Sequence, residues 1–371
     1  MSNFPFTEKM KKVQNAILKF VEDEDNHEEN YENLLVLLKD EQIENDRTEF
    51  KIFLLLICDI SNYHFRNSFF NSKIYRIIQN YFNEIQKYFT NDEIFHLFKS
   101  NKLLLLFLIE NQILIINDQI SSIILKQKYF KSRKYPEYFY PEIKNVSDFK
   151  MEAIPENFEE KRKIGENDSE ISELIRNDKI EDFIIYVNKN NYSLNSTIEP
   201  SIFETNPLLL KRRSNLIEYS AFFGSIQIFK YLYKNKVELT PSLWIYGIHG
   251  SDPEILHIFE DKHILPNNDI YSECILQSIK CFHNNTANYI KENYIDENKM
   301  DFSKLVKFKR SIYSTSFQYH NFAFFPDEIN QNIFFFFACQ FDYLNIVKYF
   351  VETRKINVNI KIVFFFFLIF K

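Results

Sequence analysis

Residues 215–232 read Asn215-Leu-Ile-Glu-Tyr-Ser220-Ala-Phe-Phe-Gly224-Ser-Ile-Gln-Ile-Phe-Lys-Tyr-Leu232, and the same design restarts at Ser242. Ile217, the small pair Ser220 and Ala221, Ile226, Phe229 and Leu232 recur at helical intervals on either side of Gly224-Ser225. Apolar residues three and four apart share one face of a helix. The stretch therefore predicts two short helices folded back on each other at Gly224-Ser225, where glycine tolerates a sharp reversal. A single hairpin of this kind cannot bury its apolar face, so several must stack.

Aligned on that reversal, the second half of the chain holds five units, at 174–186, 220–232, 247–259, 278–290 and 338–350. The second and fifth match closely: Ile226-Gln-Ile-Phe-Lys-Tyr-Leu232 stands beside Leu344-Asn-Ile-Val-Lys-Tyr-Phe350. Small residues such as Ser220, Ala221 and Ala338 let an inner helix approach its neighbour closely, and an aliphatic outer helix covers it. A polar residue or glycine, Gly224 or Asp342, supplies the turn. The starts are 46, 27, 31 and 60 residues apart. The first gap implies an insertion at 188–213, and the last implies a further, degenerate unit near 304–325.

The pattern resembles the ankyrin repeat, a hairpin of two helices plus a β-turn finger with a period of 33 residues. Ile356-Asn-Val-Asn359 is similar to the V-D-V-N segment that leads into an ankyrin finger. The irregular, Asn/Lys/Phe-rich character is similar to the divergent ankyrin-repeat proteins of trichomonad protists, in which a helical region precedes the array. The family's T-P-L-H signature is replaced by Asn215-Leu-Ile-Glu218, Ser242-Leu-Trp-Ile245 and Ile333-Phe-Phe-Phe336, so its Thr–His hydrogen bond is absent.

The resemblance implies an all-α protein with an ankyrin-type helical-hairpin solenoid over 165–371 after an N-terminal helical region over 1–134; between them Pro136, Pro141 and Pro155 break the helical patterns, so 135–164 reads as a linker. It also implies a non-enzymatic, cytoplasmic scaffold for protein–protein interaction, with an unknown protein partner on the concave face and no cofactor. In ankyrin-like units the two residues after the small pair face that surface. Carried over, these are Phe222 and Phe223, His249 and Gly250, Lys280 and Cys281, and Gln340 and Phe341. Phe222, Phe223 and Phe341 would be the aromatic anchors, and His249, Lys280 and Gln340 would tune specificity.

Composition agrees with a helical reading. The chain has 371 residues with 41 Phe but only four Gly, which disfavours a hairpin-rich β protein. A net charge of −6 gives no general pull toward nucleic acid. Cys58, Cys274, Cys281 and Cys339 suggest no disulfide framework and suit a reducing compartment. The N-terminus lacks the basic and apolar segments of a signal peptide. The apolar runs at 103–109 and 363–370 fall short of the ~20 residues that a membrane span needs.

Helical spacing continues through the first half, at 10–21, 31–38, 50–60, 74–89 with Ser72 as N-cap, and 103–116. Thr90-Asn-Asp-Glu93 has the form of a capping box that opens a helix through Phe98. The acidic run 22–29 lacks the glycine of a calcium loop and reads as a solvated linker. The basic, aromatic run 126–134 could grip single-stranded nucleic acid, and an alternative function places a nucleic-acid or enzymatic activity in the N-terminal half. The simpler reading is a solvated surface. Dinucleotide, P-loop and H-E-x-x-H motifs are missing. Cys274, Cys281 and His283 lack zinc spacing, so buried repeat faces explain them better. The apolar tail 363–370 occupies the place of a next inner helix with no outer helix to cover it, and should self-associate.

The expected far-ultraviolet circular dichroism spectrum is helical. A spectrum dominated by sheet would refute the periodicity argument.

Overall fold

The computed structural model describes residues 5–23, 25–64, 69–126, 134–146, 148–262, 264, 268–325 and 331–356. The tail 363–370 and most of the basic run, residues 127–133, lie outside them. Among the described residues the fold is all-α, and its one β-type pairing is an isolated bridge between Thr197 and Asn215.

The N-terminal helices are α1 (Pro5–Glu22), α2 (His27–Asp40), α3 (Arg47–Tyr63) and α4 (Phe70–Gln79). The Asp46 carboxylate starts α3 by accepting the Thr48 and Glu49 N–H groups, both at 2.9 Å. The helix expected over 74–89 breaks at Asn80-Tyr81 into α4 and α5 (Phe82–Tyr88). Ser72 does not cap it: the serine lies inside α4 and its hydroxyl donates to the Phe69 carbonyl. The predicted capping box opens α6 (Asn91–Phe98), with Thr90 and Glu93 each bonding the other's N–H. The helix expected over 103–116 is α7 (Lys102–Glu110). It stops early because Gln112 turns left-handed, at φ 61°, and Ile113 N–H bonds back to Leu108. Next comes α8 (Asp118–Lys126).

Residues 135–164, expected as a linker, are instead packed. They carry α9 (Tyr135–Tyr138), α10 (Tyr140–Ile143) and α11 (Phe158–Ile164). Tyr135, Tyr138, Phe139, Ile143 and Phe158 are buried. Arg162 is buried with them: its guanidinium reaches Glu142 at 2.7 Å and Glu159 at 2.6 Å, and its carbonyl accepts from the Tyr138 hydroxyl. The prolines that suggested a break, Pro136 and Pro141, sit in the first turns of α9 and α10, where a missing N–H costs nothing.

All five expected hairpins form. They are α12 (Glu170–Arg176) with α13 (Ile180–Lys189), α15 (Leu216–Phe222) with α16 (Ile226–Lys234), α17 (Leu243–Gly250) with α18 (Pro253–Asp261), α19 (Asn268–Lys280) with α20 (Asn284–Tyr294), and α22 (Gln331–Gln340) with α23 (Leu344–Lys348). The insertion carries the short α14 (Pro207–Lys211). The sixth, degenerate unit is α21 (Phe302–Gln318), followed by a 3-10 turn at Phe322–Phe324 in place of an outer helix. Most of the turns share one geometry. A left-handed residue (Asp178, Gly224, Phe282, His320 or Asp342) is followed by an N–H that bonds five residues back, to Leu174, Ser220, Ser278, Ser316 or Ala338, at 2.9–3.0 Å. Ser251 makes a shorter version, bonding Gly247.

The chain divides into two compact units, residues 81–270 and residues 1–80 with 271–371. This grouping differs from the expected division into 1–134 and 165–371. Within 81–270, α12, α15 and α17 pack in one row and α13, α16 and α18 in a second. Asp178, in the first turn, caps α16 of the next hairpin by accepting Gln227 and Ile228 N–H, both at 3.0 Å. Gly250 lies so close to α15 that a β-carbon there would run into the Ala221 and Phe222 carbonyl oxygens.

In the other unit α1 packs on α2, α4 and the 322–324 turn, and α3 on α4 and α23. α3 runs along three successive hairpin turns. His64 meets the Cys281 carbonyl at 2.8 Å, Asp59 meets His320 at 2.7 Å, and Lys51 meets Asp342 at 2.6 Å. Lys51 to His64 spans about 20 Å of helix at ~1.5 Å per residue, matching two steps of ~8–10 Å between packed helices. Gln14 of α1 joins the same edge: its side-chain amide donates to Asn321 at 3.0 Å and accepts Phe322 N–H at 2.7 Å.

Replacing Gly250 with alanine should force α15 and α17 apart and lower stability by about 2–3 kcal/mol. Equilibrium urea unfolding measures this, and a change within error would show that the rows can part without cost.

Candidate functional site

The surface carried over from the ankyrin resemblance falls in both units. In 81–270 the structure brings together Phe222, Phe223 and His249. Phe222 ends α15 and His249 lies in the last turn of α17, because the two inner helices are neighbours. Their rings stack at 5.2 Å, and Phe223 meets Phe222 edge-on at 4.9 Å. Phe222 is 7% exposed and His249 2%, so these two serve the packing of α15 on α17 rather than offering a free face. Phe223 is half-buried beside Tyr219, with the Arg176 guanidinium 6.0 Å from its ring centroid. Gly250 is spent on the close approach of the inner helices.

In the other unit Lys280 is held between two rings, its ammonium 4.3 Å from the Tyr63 centroid and 4.9 Å from that of Tyr319. Tyr63 ends α3, so α3 takes up the space over Lys280. Cys281 is fully buried, and burial pushes its thiol up to about 12. Gln340 is exposed, and Phe341 is half-buried with its ring stacked over Phe337 at 6.3 Å. Of the six candidates, Gln340 alone is fully exposed, with Phe223, Lys280 and Phe341 partly so.

The sequence reading missed the polar groups along α3. Asp59 holds His320 at 2.7 Å, and His64 places Nδ1 on the Cys281 carbonyl and Nε2 3.1 Å from Glu22. Burial raises the Asp59 carboxyl above its ordinary range, while the hydrogen bond from His320 and the charges of His320 and Lys280 pull the other way. Burial with the Asp59 charge nearby pushes the Tyr319 hydroxyl up to about 12. A signal for this was present: Asp59 follows the apolar run Ile52-Phe-Leu-Leu-Leu-Ile-Cys58, and a carboxylate on a buried face demands a partner. Which partner was beyond reach, since His320 lies 261 residues away.

The carboxylate–imidazole pair joins α3 to the 319–321 turn. A thiolate nucleophile is disfavoured nearby, since Cys281 is buried and its thiol stays protonated at neutral pH. Among the described residues no group of three or more His, Cys, Asp or Glu side chains is placed to hold a metal ion. Nor is any described helix long and apolar enough to cross a membrane. Compared with protein-family models, curated proteins and solved structures, the chain matches none.

Cys58, Cys274 and Cys281 are buried and Cys339 is exposed. An aromatic disulfide reagent should therefore label one thiol rapidly in the native protein and all four in denaturant. Fast labelling of more than one would mean that the packing around α3 and α19 opens readily.

Proposed function

We propose that the protein is a non-enzymatic interaction scaffold whose hairpins constitute an ankyrin-type solenoid. The observation that carries this reading is the paired stacking of α12, α15 and α17 in one row and α13, α16 and α18 in the other. Repeating hairpins joined only to their neighbours build an extended surface, and such surfaces serve recognition in repeat proteins generally. The irregular spacing and the missing T-P-L-H signature are compatible with it. At α15 a capping box of Asn215 with Glu218, at 2.9 and 3.0 Å, ties down the helix start that the family's threonine and histidine would otherwise secure.

Phe223, within 81–270, and Gln340 and Phe341, in the other unit, retain the exposure that a partner needs, whereas Lys280 is covered by α3, and Phe222 and His249 act by holding the inner helices together. The partner is a protein, and the scaffold acts inside the cell, where its four free thiols remain reduced.

Affinity capture from the native cell, with the full chain as bait, tests the reading. Gln340→Arg and Phe341→Ala should each lower recovery of a captured protein at least about fivefold. Both should melt within a few degrees of the unmodified chain, because changes at exposed sites usually cost under ~0.5 kcal/mol. Phe222→Ala should instead destabilise by about 3 kcal/mol or more. Undiminished recovery with both surface variants would remove this face as the site.

A further inference from the structure

We infer that a cleft between α10 and α11 binds a zwitterion with one bulky apolar group, of the class of the larger apolar α-amino acids. The cleft lies within residues 81–270 and encloses about 370 Å³, at the lower end of the roughly 300–1,000 Å³ that small-ligand sites occupy. One wall is α10 with Lys144 at its C-terminal end, and the other is the first turn of α11 with the residues just before it. Tyr140, Pro141, Ile154 and Phe158 make the lining apolar. The walls are fixed before any ligand arrives. Arg162 of α11 reaches Glu142 of α10 at 2.7 Å. The Tyr140 ring meets Phe149 edge-on at 6.2 Å, and the buried Phe158 ring meets Phe203 edge-on at 5.3 Å. Ile154 is 59% exposed, and a side chain of its size beside an apolar cleft gains by being covered.

The charges that line the cleft select the ligand. Glu159 is engaged by Arg162 at 2.6 Å, which leaves Lys144 and Glu160. Both are exposed, and among the described residues neither side chain makes an ion pair or a hydrogen bond, with the other or with any third group. Lys144 and Glu160 are therefore too far apart to bond directly, yet they share one cleft. A purely anionic ligand would meet the Glu160 carboxylate, and a purely cationic one the Lys144 ammonium. A carboxylate for Lys144 joined to an ammonium for Glu160 satisfies both through charge-assisted hydrogen bonds. Asn157 stands at the start of α11, at φ 55°, without capping it, so its amide is available to donate or accept at either end of the ligand. The ligand's apolar group would lie on Tyr140, Ile154 and Phe158.

Calorimetric titration of the full chain with L-phenylalanine tests the inference. The comparison ligands are L-phenylalanine amide, which lacks the carboxylate, N-acetyl-L-phenylalanine, which lacks the ammonium, and L-alanine, which lacks the ring. Saturable one-to-one binding of phenylalanine is expected, with a Kd below about 1 mM. Each comparison ligand should bind at least about tenfold more weakly. Lys144→Ala should erase the advantage of phenylalanine over its amide while keeping that over the N-acetyl compound, and Glu160→Gln should do the reverse. Lys150→Ala removes an exposed lysine outside the cleft and should change affinity less than about twofold. No saturable binding below that Kd, or equal losses in Lys144→Ala and Lys150→Ala, would overturn the site. Amide, N-acetyl compound or alanine binding as tightly as phenylalanine would overturn the ligand class.

Discussion

Five of the six turns are closed by one backbone hydrogen bond, from the residue after a left-handed turn to a carbonyl five positions earlier. The rest of the architecture hangs on that bond. It satisfies a helix-end carbonyl that would otherwise need water, and it fixes the angle at which the outer helix returns. In four of the turns the accepting residue is Ser220, Ser278, Ser316 or Ala338. A small side chain there leaves the inner helix free to approach its neighbour, as Gly250 does to Ala221. Only one of the left-handed positions is glycine. Asp178, Ser251, Phe282, His320 and Asp342 accept a conformation that disfavours a β-carbon by roughly 1–2 kcal/mol. The surrounding packing must over-determine each of those turns.

That requirement makes α3 more than a core helix. Its apolar face supplies Phe50, Phe53, Leu54, Ile57 and Ile60 to the interior. Its polar positions meet His320 and Asp342, two of the strained residues, and the carbonyl beside a third, Phe282. The contacts thereby hold the turns in place. A buried carboxylate such as Asp59 is costly when alone, and breaking a buried pair costs more than the pair contributes. Its value here is positional: it fixes where along α3 the 319–321 turn can sit.

The hairpins were legible because they are local. Ser220-Ala221, Gly224 and the 3–4 spacing after Ile226 carry the complete instruction for one unit, and the starts at 174, 220, 247, 278 and 338 all coincide with observed hairpins. Even the degenerate unit could be anticipated from the 60-residue gap that α21 fills. What stayed hidden depends on distant pairs. Pro136 and Pro141 suggested a break, yet the segment around them is packed through Arg162, Glu142 and Glu159. The joining of 1–80 with 271–371 rests on contacts such as Gln14 with Asn321, which no periodicity can reveal. Phe222 followed the rule for a concave residue but found His249 opposite it, and an aromatic pair buries itself when the backbone spacing allows.

The joining of the chain's two ends has a consequence for biosynthesis. Helices α1 to α4 leave the ribosome first, but their partners α20 to α23 are encoded after residues 81–270. At ~5–20 residues per second, those roughly 190 residues occupy about 10–40 s. Throughout that interval α3 has its neighbour α4 but lacks the part of its native cover that comes from residues 271–356, while the intervening segment can complete its own unit. The nascent chain therefore carries a partly uncovered apolar helix for the whole of that interval. Premature termination anywhere before α21 would leave the 271–356 side of α3 uncovered for good.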